Sequence, residues 1–244
     1  MMEDQFVPSA DPTFVPAAPP VLVPPHERAE APLLHDGFSR LFWLSIVSML
    51  LNLLTNSFKL TERVPALRVP LGLASLAVGV LLILSMWKMS AAVPRFRKAA
   101  LWNALPLAAA PVLLWIDLAG VTQTLGETNL GTMSFFLILV LAVTLAVGMA
   151  ARYQQLTACA EAFDGSDEVL AGKWRRLRTW VIALMAALGA FLVLTVMLIV
   201  SQGGYFLFFG GSAMLLIVAA VTVGIAVTSI IDLAYLHRAA DLFA

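Results

Sequence analysis

Residues 205–232 read YFLFFGGSAMLLIVAAVTVGIAVTSIID, and Asp232 at the end is the only charged residue among them. A helix rises about 1.5 Å per residue, so an apolar run of this length crosses the ~30 Å hydrocarbon core of a bilayer. Backbone polar groups in lipid must be hydrogen-bonded inside the protein, and a single run satisfies this only as a helix. The stretch therefore predicts a membrane-spanning helix.

Five further apolar runs, each of 18–22 residues and long enough to cross a bilayer as a helix, precede this one. Hydrophobic residues make up 61% of the 244 residues and charged residues 12%, against about 45–50% and about 25% in soluble domains. We therefore expect an all-α integral membrane protein with a single domain over residues 38–244. Its six transmembrane helices are predicted at residues 41–58, 70–87, 99–119, 133–153, 179–200 and 205–232.

Residues 1–37 have a different composition from the rest of the chain. They contain eight of the thirteen prolines, and proline at this density favours an extended, polyproline-like chain over helix or sheet. We expect a disordered cytoplasmic tail. It is either a solvated segment or a docking strip for a protein partner with an aromatic groove.

Lysine and arginine are distributed unequally between the two sides of the predicted helices. Twelve of the fifteen lie in the tail, in the loops after the second and fourth helices, and at the C-terminus. The other three, Lys59, Arg63 and Arg68, lie in the first loop. Because basic loops stay in the cytoplasm, we expect a plasma membrane protein with both termini inside. The lack of an Asn-x-Ser/Thr sequon is compatible with a bacterial source.

Three similar segments follow the even-numbered helices. They are MSAAVPRF at 89–96, LTACAEAF at 156–163 and LHRAADLF at 236–243, each with an apolar first residue, central alanines and a final Phe. We interpret them as the ends of three helical hairpins of common ancestry, each continuing as a short cytoplasmic helical stem. In the loop that follows the second copy, Gly165 favours a helix C-cap and Ser166 with Asp167 and Glu168 a new N-terminus.

An ion pair is predicted from the alignment of the second and third copies, which places Arg152 opposite Asp232. A carboxylate at the bilayer centre costs about 2.5–3.5 kcal/mol on the insertion scale unless it is paired or near the interface. We predict that the two residues form a structural clasp at the cytoplasmic membrane boundary. In the alternative, both side chains extend separately to the headgroups.

A polar stripe runs along one face of the first helix, where residues recur at spacings of three, four and three. Its members are Ser45, Ser48, Asn52 and Thr55. The stripe either lines a polar path or hydrogen-bonds to neighbouring helices. Pro106 and Pro111 in the third helix each remove a backbone hydrogen bond, which produces either a transporter-like break or an ordinary packing kink.

The sequence disfavours an enzyme. His26, His35 and His237 all lie outside the predicted spans and Cys159 is the only cysteine, so we expect no metal site, no cofactor and no histidine base inside the membrane. The phosphate-binding glycine loops, zinc-protease helices and serine elbows with recognisable patterns are also missing. A net charge of zero gives no reason to expect a nucleic-acid partner.

Two functional hypotheses remain. The leading one is a non-catalytic membrane scaffold or accessory subunit that meets a protein partner through residues 1–37 and the basic hairpin at 154–178. The alternative is a small-solute or ion transporter or channel subunit, monomeric or homo-oligomeric, that uses the polar stripe and the third helix. In both, the lipid bilayer is the principal surrounding partner.

Overall fold

The computed structural model describes the backbone of residues 23–57, 64–118, 130–202 and 205–244. Inside those ranges it also describes the side chains, except at residues 56–57, 65, 109–118, 130–142, 192, 195–202 and 205–218. The structure is 88% helical and has no strand in the part described. The predicted all-α class is therefore confirmed.

Six α-helices follow one another in the described chain. They are α1 Ala31–Asn52, α2 Arg68–Met89, α3 Arg95–Leu118, α4 Leu130–Ala162, α5 Glu168–Gln202 and α6 Tyr205–Leu242. A π-helical turn at Leu53–Ser57 prolongs α1, and α3 continues through both of its prolines. The last three helices are much longer than a bilayer requires, because each includes a stem.

The first helix begins at Ala31, well before its predicted start at residue 41. Residues 31–37, which we assigned to the disordered tail, are therefore its first two turns, and the tail prediction is wrong for them. Pro32 suits this first turn because its missing N–H is not needed there. Leu34 and Phe38 are buried, so packing stabilises these turns. Residues 1–22 of the tail lie outside the described chain.

The turn between α4 and α5 has the geometry that its sequence predicts. Gly165 has a φ of 75°, a left-handed conformation that favours glycine. Asp167 caps the next helix, since its Oδ1 accepts a hydrogen bond from the Leu170 N–H at 2.9 Å. The two helices therefore form a tight hairpin at this end of the molecule.

Three helical segments in the described chain are long and apolar enough to cross a membrane. They are Ala31–Thr55, Arg68–Met89 and Ala219–Leu242, which supports a membrane protein. The predicted spans at 99–119, 133–153 and 179–200 include side chains outside those described. Six membrane crossings therefore stay a prediction.

The helices form a closed ring. Each packs against the helix that precedes and the helix that follows it in sequence, and α6 packs back against α1. Among the described side chains, the buried residues gather at the end of the ring where α1, α3 and α5 begin and α2, α4 and α6 end. We call this the stem end. The first and last described helices have their outer termini there, so both ends of the described chain lie on one side.

Four phenylalanines form the centre of the stem end. Phe38 of α1 lies 6.2 Å from Phe96, 5.8 Å from Phe163 and 5.9 Å from Phe243, measured between ring centroids. The last three are the final residues of the three similar segments, which therefore converge on one site. Their common ancestry stays an interpretation.

Candidate functional site

A polar cavity of about 360 Å³ lies beside the stem end and is lined by residues from five of the helices. Its polar lining comes from α1, α3, α4 and α6, while α2 contributes apolar side chains. The polar members are Ser45, Ser48, Asn52, Asn103, Arg152, Gln155, Ser229 and Asp232. Because these helices are neighbours in the ring, the cavity occupies the space that the ring encloses.

The polar stripe of α1 supplies one wall of this cavity. Ser45, Ser48 and Asn52 line it, as residues three and four positions apart on one helical face can do. Thr55 is not in the lining, and its hydroxyl donates to the Leu51 carbonyl of its own helix at 2.9 Å. Three of the four predicted residues therefore face a shared polar space.

Arg152 and Asp232 meet in the same cavity wall. A terminal nitrogen of Arg152 donates to Asp232 Oδ2 in an ion pair between α4 and α6, and the other terminal nitrogen donates to Gln155 Oε1 at 3.1 Å. The structure thus brings the two predicted partners together. Both residues also line the cavity.

The second oxygen of Asp232 has no protein partner. Only 6% of this side chain is exposed, and Oδ1 is a buried atom that accepts no hydrogen bond from the described residues. Leaving a buried polar atom unsatisfied costs about 1–3 kcal/mol, and more when the atom is charged.

Two side-chain amides complete the polar lining, and the sequence analysis missed both. Asn103 of α3 donates to the Ala99 carbonyl at 2.8 Å, which holds the side chain against its own helix. Gln155 lies one turn beyond Arg152 and is buried. Asn103 and Asp117 are the two strongly polar residues in the run at 99–119, and an amide inside an apolar helix was the available signal.

The cavity lining combines groups that donate hydrogen bonds with groups that accept them. Serine hydroxyls and amides both donate and accept hydrogen bonds, and the ion pair adds one group of each charge. Cavities of about 300–1,000 Å³ hold small ligands in proteins. Within the described part of the chain, no cluster of three His, Cys, Asp or Glu side chains could hold a metal ion.

Cys159 lies close to this site but is unsuited to act as a nucleophile. Its side chain is buried in the α4 stem. Burial raises the pKa of the Cys159 thiol, the Asp232 carboxylate raises it further and Arg152 opposes the change. A thiol held protonated reacts slowly, because the thiolate is the reactive form.

Comparisons with known proteins add no likeness to this geometry. No family model, no curated protein and no solved structure matches the chain significantly. Because a fold supports many functions, any function has to follow from the chemistry of the site itself.

Proposed function

We propose that the chain is a small-solute transporter or channel subunit that binds its solute in the central polar cavity. The observation that carries this proposal is the Arg152–Asp232 ion pair, which lines a polar cavity of about 360 Å³ together with serine and amide side chains. An ionisable residue facing the interior of a membrane helix bundle typically marks a solute or ion path.

The charges around Asp232 restrict the class of solute. Arg152 balances the charge of the carboxylate, so the pair is neutral as a unit. An uncharged compound can therefore occupy the cavity without breaking the pair. Serine hydroxyls and amides on α1 and α3 offer it hydrogen bonds. The cavity therefore suits a small polar solute with several hydrogen-bonding groups.

The α1 stripe indicates the direction in which the polar surface extends along the helix. Ser45 and Asn52 are seven residues apart, so the polar face extends about 10 Å along the helix. It leads from the stem end toward the middle of the predicted span at 41–58. A polar face of this length inside a ring of helices is one wall of a path into the membrane. The buried phenylalanines close the ring at the stem end, so we propose that the solute enters the cavity from the other end.

Six membrane crossings arranged as three hairpins belong to this proposal. The support is threefold: three helices of sufficient length and hydropathy, the excess of Lys and Arg on one side, and both ends of the described chain at the stem end. We place the stem end on the cytoplasmic side of a bacterial plasma membrane. Alkaline phosphatase, which is active only outside the cytoplasm, is expected to be active when fused after residue 125 and inactive when fused after residue 244.

Native mass spectrometry tests the solute site. The full-length protein, extracted gently from its own membrane, is expected to carry a small-molecule adduct. The Ser48→Leu variant fills the cavity and is expected to lose the adduct. Thr55→Val is the matched control, because Thr55 lies on the same helix outside the lining. Persistence of the adduct in Ser48→Leu, or a wild-type protein that carries none, would contradict the proposal.

The scaffold or accessory role is a second candidate, favoured by a different observation. Arg28 donates to the Ala162 carbonyl at 2.8 Å and to the Asp164 carbonyl at 2.6 Å. These bonds fasten the beginning of the described chain to the α4–α5 turn. We propose that a protein partner contacts both the tail and the basic hairpin at 154–178.

Deleting residues 1–22 separates the two candidates. The deletion leaves α1 whole, since that helix begins at Ala31. Loss of a co-purifying protein with the small-molecule adduct retained indicates that the tail is a docking segment on a solute-binding protein. A deletion that changes neither the protein composition nor the adduct removes the support for docking through the tail.

A further inference from the structure

A groove of about 540 Å³ lies between α1 and α2 near the stem end, apart from the polar cavity. Two tryptophans, Trp43 and Trp87, line it together with Leu81 and Leu84. The two tryptophans are unusually exposed for their size, with exposed fractions of 62% for Trp43 and 45% for Trp87. Tryptophan concentrates at the boundary between hydrocarbon and headgroups. We therefore place the groove at the depth where the acyl chains of a lipid join its headgroup.

Basic side chains gather at the same groove. Arg40 and Lys88 line it, and the Arg97 guanidinium lies over the Trp87 ring, 5.2 Å from its centroid. Arg40 uses its Nε to bind Asp36 at 2.8 Å. Three cations against this one paired carboxylate leave an excess of positive charge, which attracts an anion.

The apolar part of the groove indicates which kind of anion the groove binds. Leu81 and Leu84 are about half exposed and lie on the same face of α2, roughly one turn apart. They continue the groove away from the basic residues and along the helix. A free phosphate would satisfy the cations and leave this apolar part uncovered. A phospholipid acyl chain covers it.

We propose that the groove binds one anionic phospholipid. Its phosphate lies against Arg40 and Lys88, its glycerol region meets the two tryptophan rings, and one acyl chain follows Leu81 and Leu84. Basic residues at the cytoplasmic surface attract anionic lipids by about 1 kcal/mol each. The site is independent of the solute cavity and holds whether or not the protein is a transporter.

Native mass spectrometry of the full-length, delipidated protein tests this site. The probes are phosphatidylglycerol and phosphatidylcholine with identical acyl chains. Wild-type protein is expected to bind one phosphatidylglycerol molecule about tenfold or more tightly than phosphatidylcholine. The double variant Arg40→Gln, Lys88→Gln is expected to lose this tenfold preference, because it removes the two positive charges that line the groove.

Two controls make the result specific. The double variant Arg176→Gln, Arg238→Gln removes the same charge from exposed positions that do not line the groove, and its preference for phosphatidylglycerol should remain. Inorganic phosphate at millimolar concentration should not displace the lipid. Equal binding of the two lipids by the wild type, equal loss in both double variants, or displacement by phosphate would overturn the proposal.

Discussion

The rings of Phe38 and Phe243 stack with an interplanar angle of 3° and a centroid separation of 5.9 Å. One belongs to the second turn of α1, and the other follows the last residue of α6. Their contact joins the beginning of the described helices to their end. Since Phe38 also meets Phe96 and Phe163, one side chain links the three similar segments.

Truncating Phe38 should therefore destabilise the whole stem end. We expect Phe38→Ala to lower the free energy of unfolding by about 3–5 kcal/mol, as for other large buried aromatic residues. Thermal unfolding in detergent, followed by near-ultraviolet circular dichroism, measures the effect. Leu50→Ala is the control, since Leu50 lies on the same helix and is 54% exposed. Equal melting temperatures for the two variants would contradict the central role of Phe38.

Gly165 should tolerate alanine less well than Gly172 does. The φ of 75° at Gly165 costs an L-residue about 1–2 kcal/mol, so Gly165→Ala should destabilise the α4–α5 hairpin by that amount. Gly172 lies inside α5, and a Cβ there would meet nothing within 4 Å. Gly172→Ala should therefore stabilise the helix by up to about 1 kcal/mol. Limited proteolysis at the turn distinguishes the two, and equal cleavage of both variants would count against the turn geometry.

The ion pair between Arg152 and Asp232 predicts a specific pattern of charge reversals. Arg152→Asp and Asp232→Arg each place like charges together in a buried wall, so each alone should lower the amount of protein in the membrane several-fold. The double reversal restores opposite charges and should recover part of that amount. Quantitative immunoblotting of membrane fractions measures it. Equal amounts for the single and double variants would exclude a coupled pair.

Cys159 should resist alkylation in the folded protein. Its thiol is buried and its pKa is raised, so N-ethylmaleimide at pH 8 should label it far more slowly than in protein unfolded with detergent and heat. Its contribution to stability is complete below the ordinary thiol pKa. That contribution is lost as the pH rises toward the folded value, because the unfolded chain releases its proton first. Rapid labelling of folded protein at pH 8 would contradict this burial.

The sequence predicts the helices of this protein better than their relative placement. Apolar run length is a local property, and the α4–α5 turn follows from Gly165 and Asp167, so both could be inferred from the sequence. The start of α1 at Ala31 could not, since Leu34 and Phe38 are stabilised there by helices distant in sequence. Proline content favoured a tail, and tertiary packing overrode it.

The candidate site was predictable only in its parts. The α1 stripe came from helical spacing, and the Arg152–Asp232 pair came from the alignment of similar segments. Neither pattern shows that the stripe faces the pair, because that depends on the closure of α6 onto α1. The contribution of Asn103 depends on the same closure. Closure of a helix ring is a long-range property that one sequence does not encode in any local pattern.

Access of water and small reagents to the central cavity tests the account most directly. In a Cys159→Ala background, Ser48→Cys places a thiol in the cavity, and Leu50→Cys places one on the exposed outer face of the same helix. Right-side-out membrane vesicles expose the membrane face away from the stem end to a membrane-impermeant methanethiosulfonate reagent. We predict that Ser48→Cys reacts at least tenfold faster than Leu50→Cys, which is surrounded by lipid. Equal rates, or a faster reaction at Leu50→Cys, would contradict a solute cavity inside the ring.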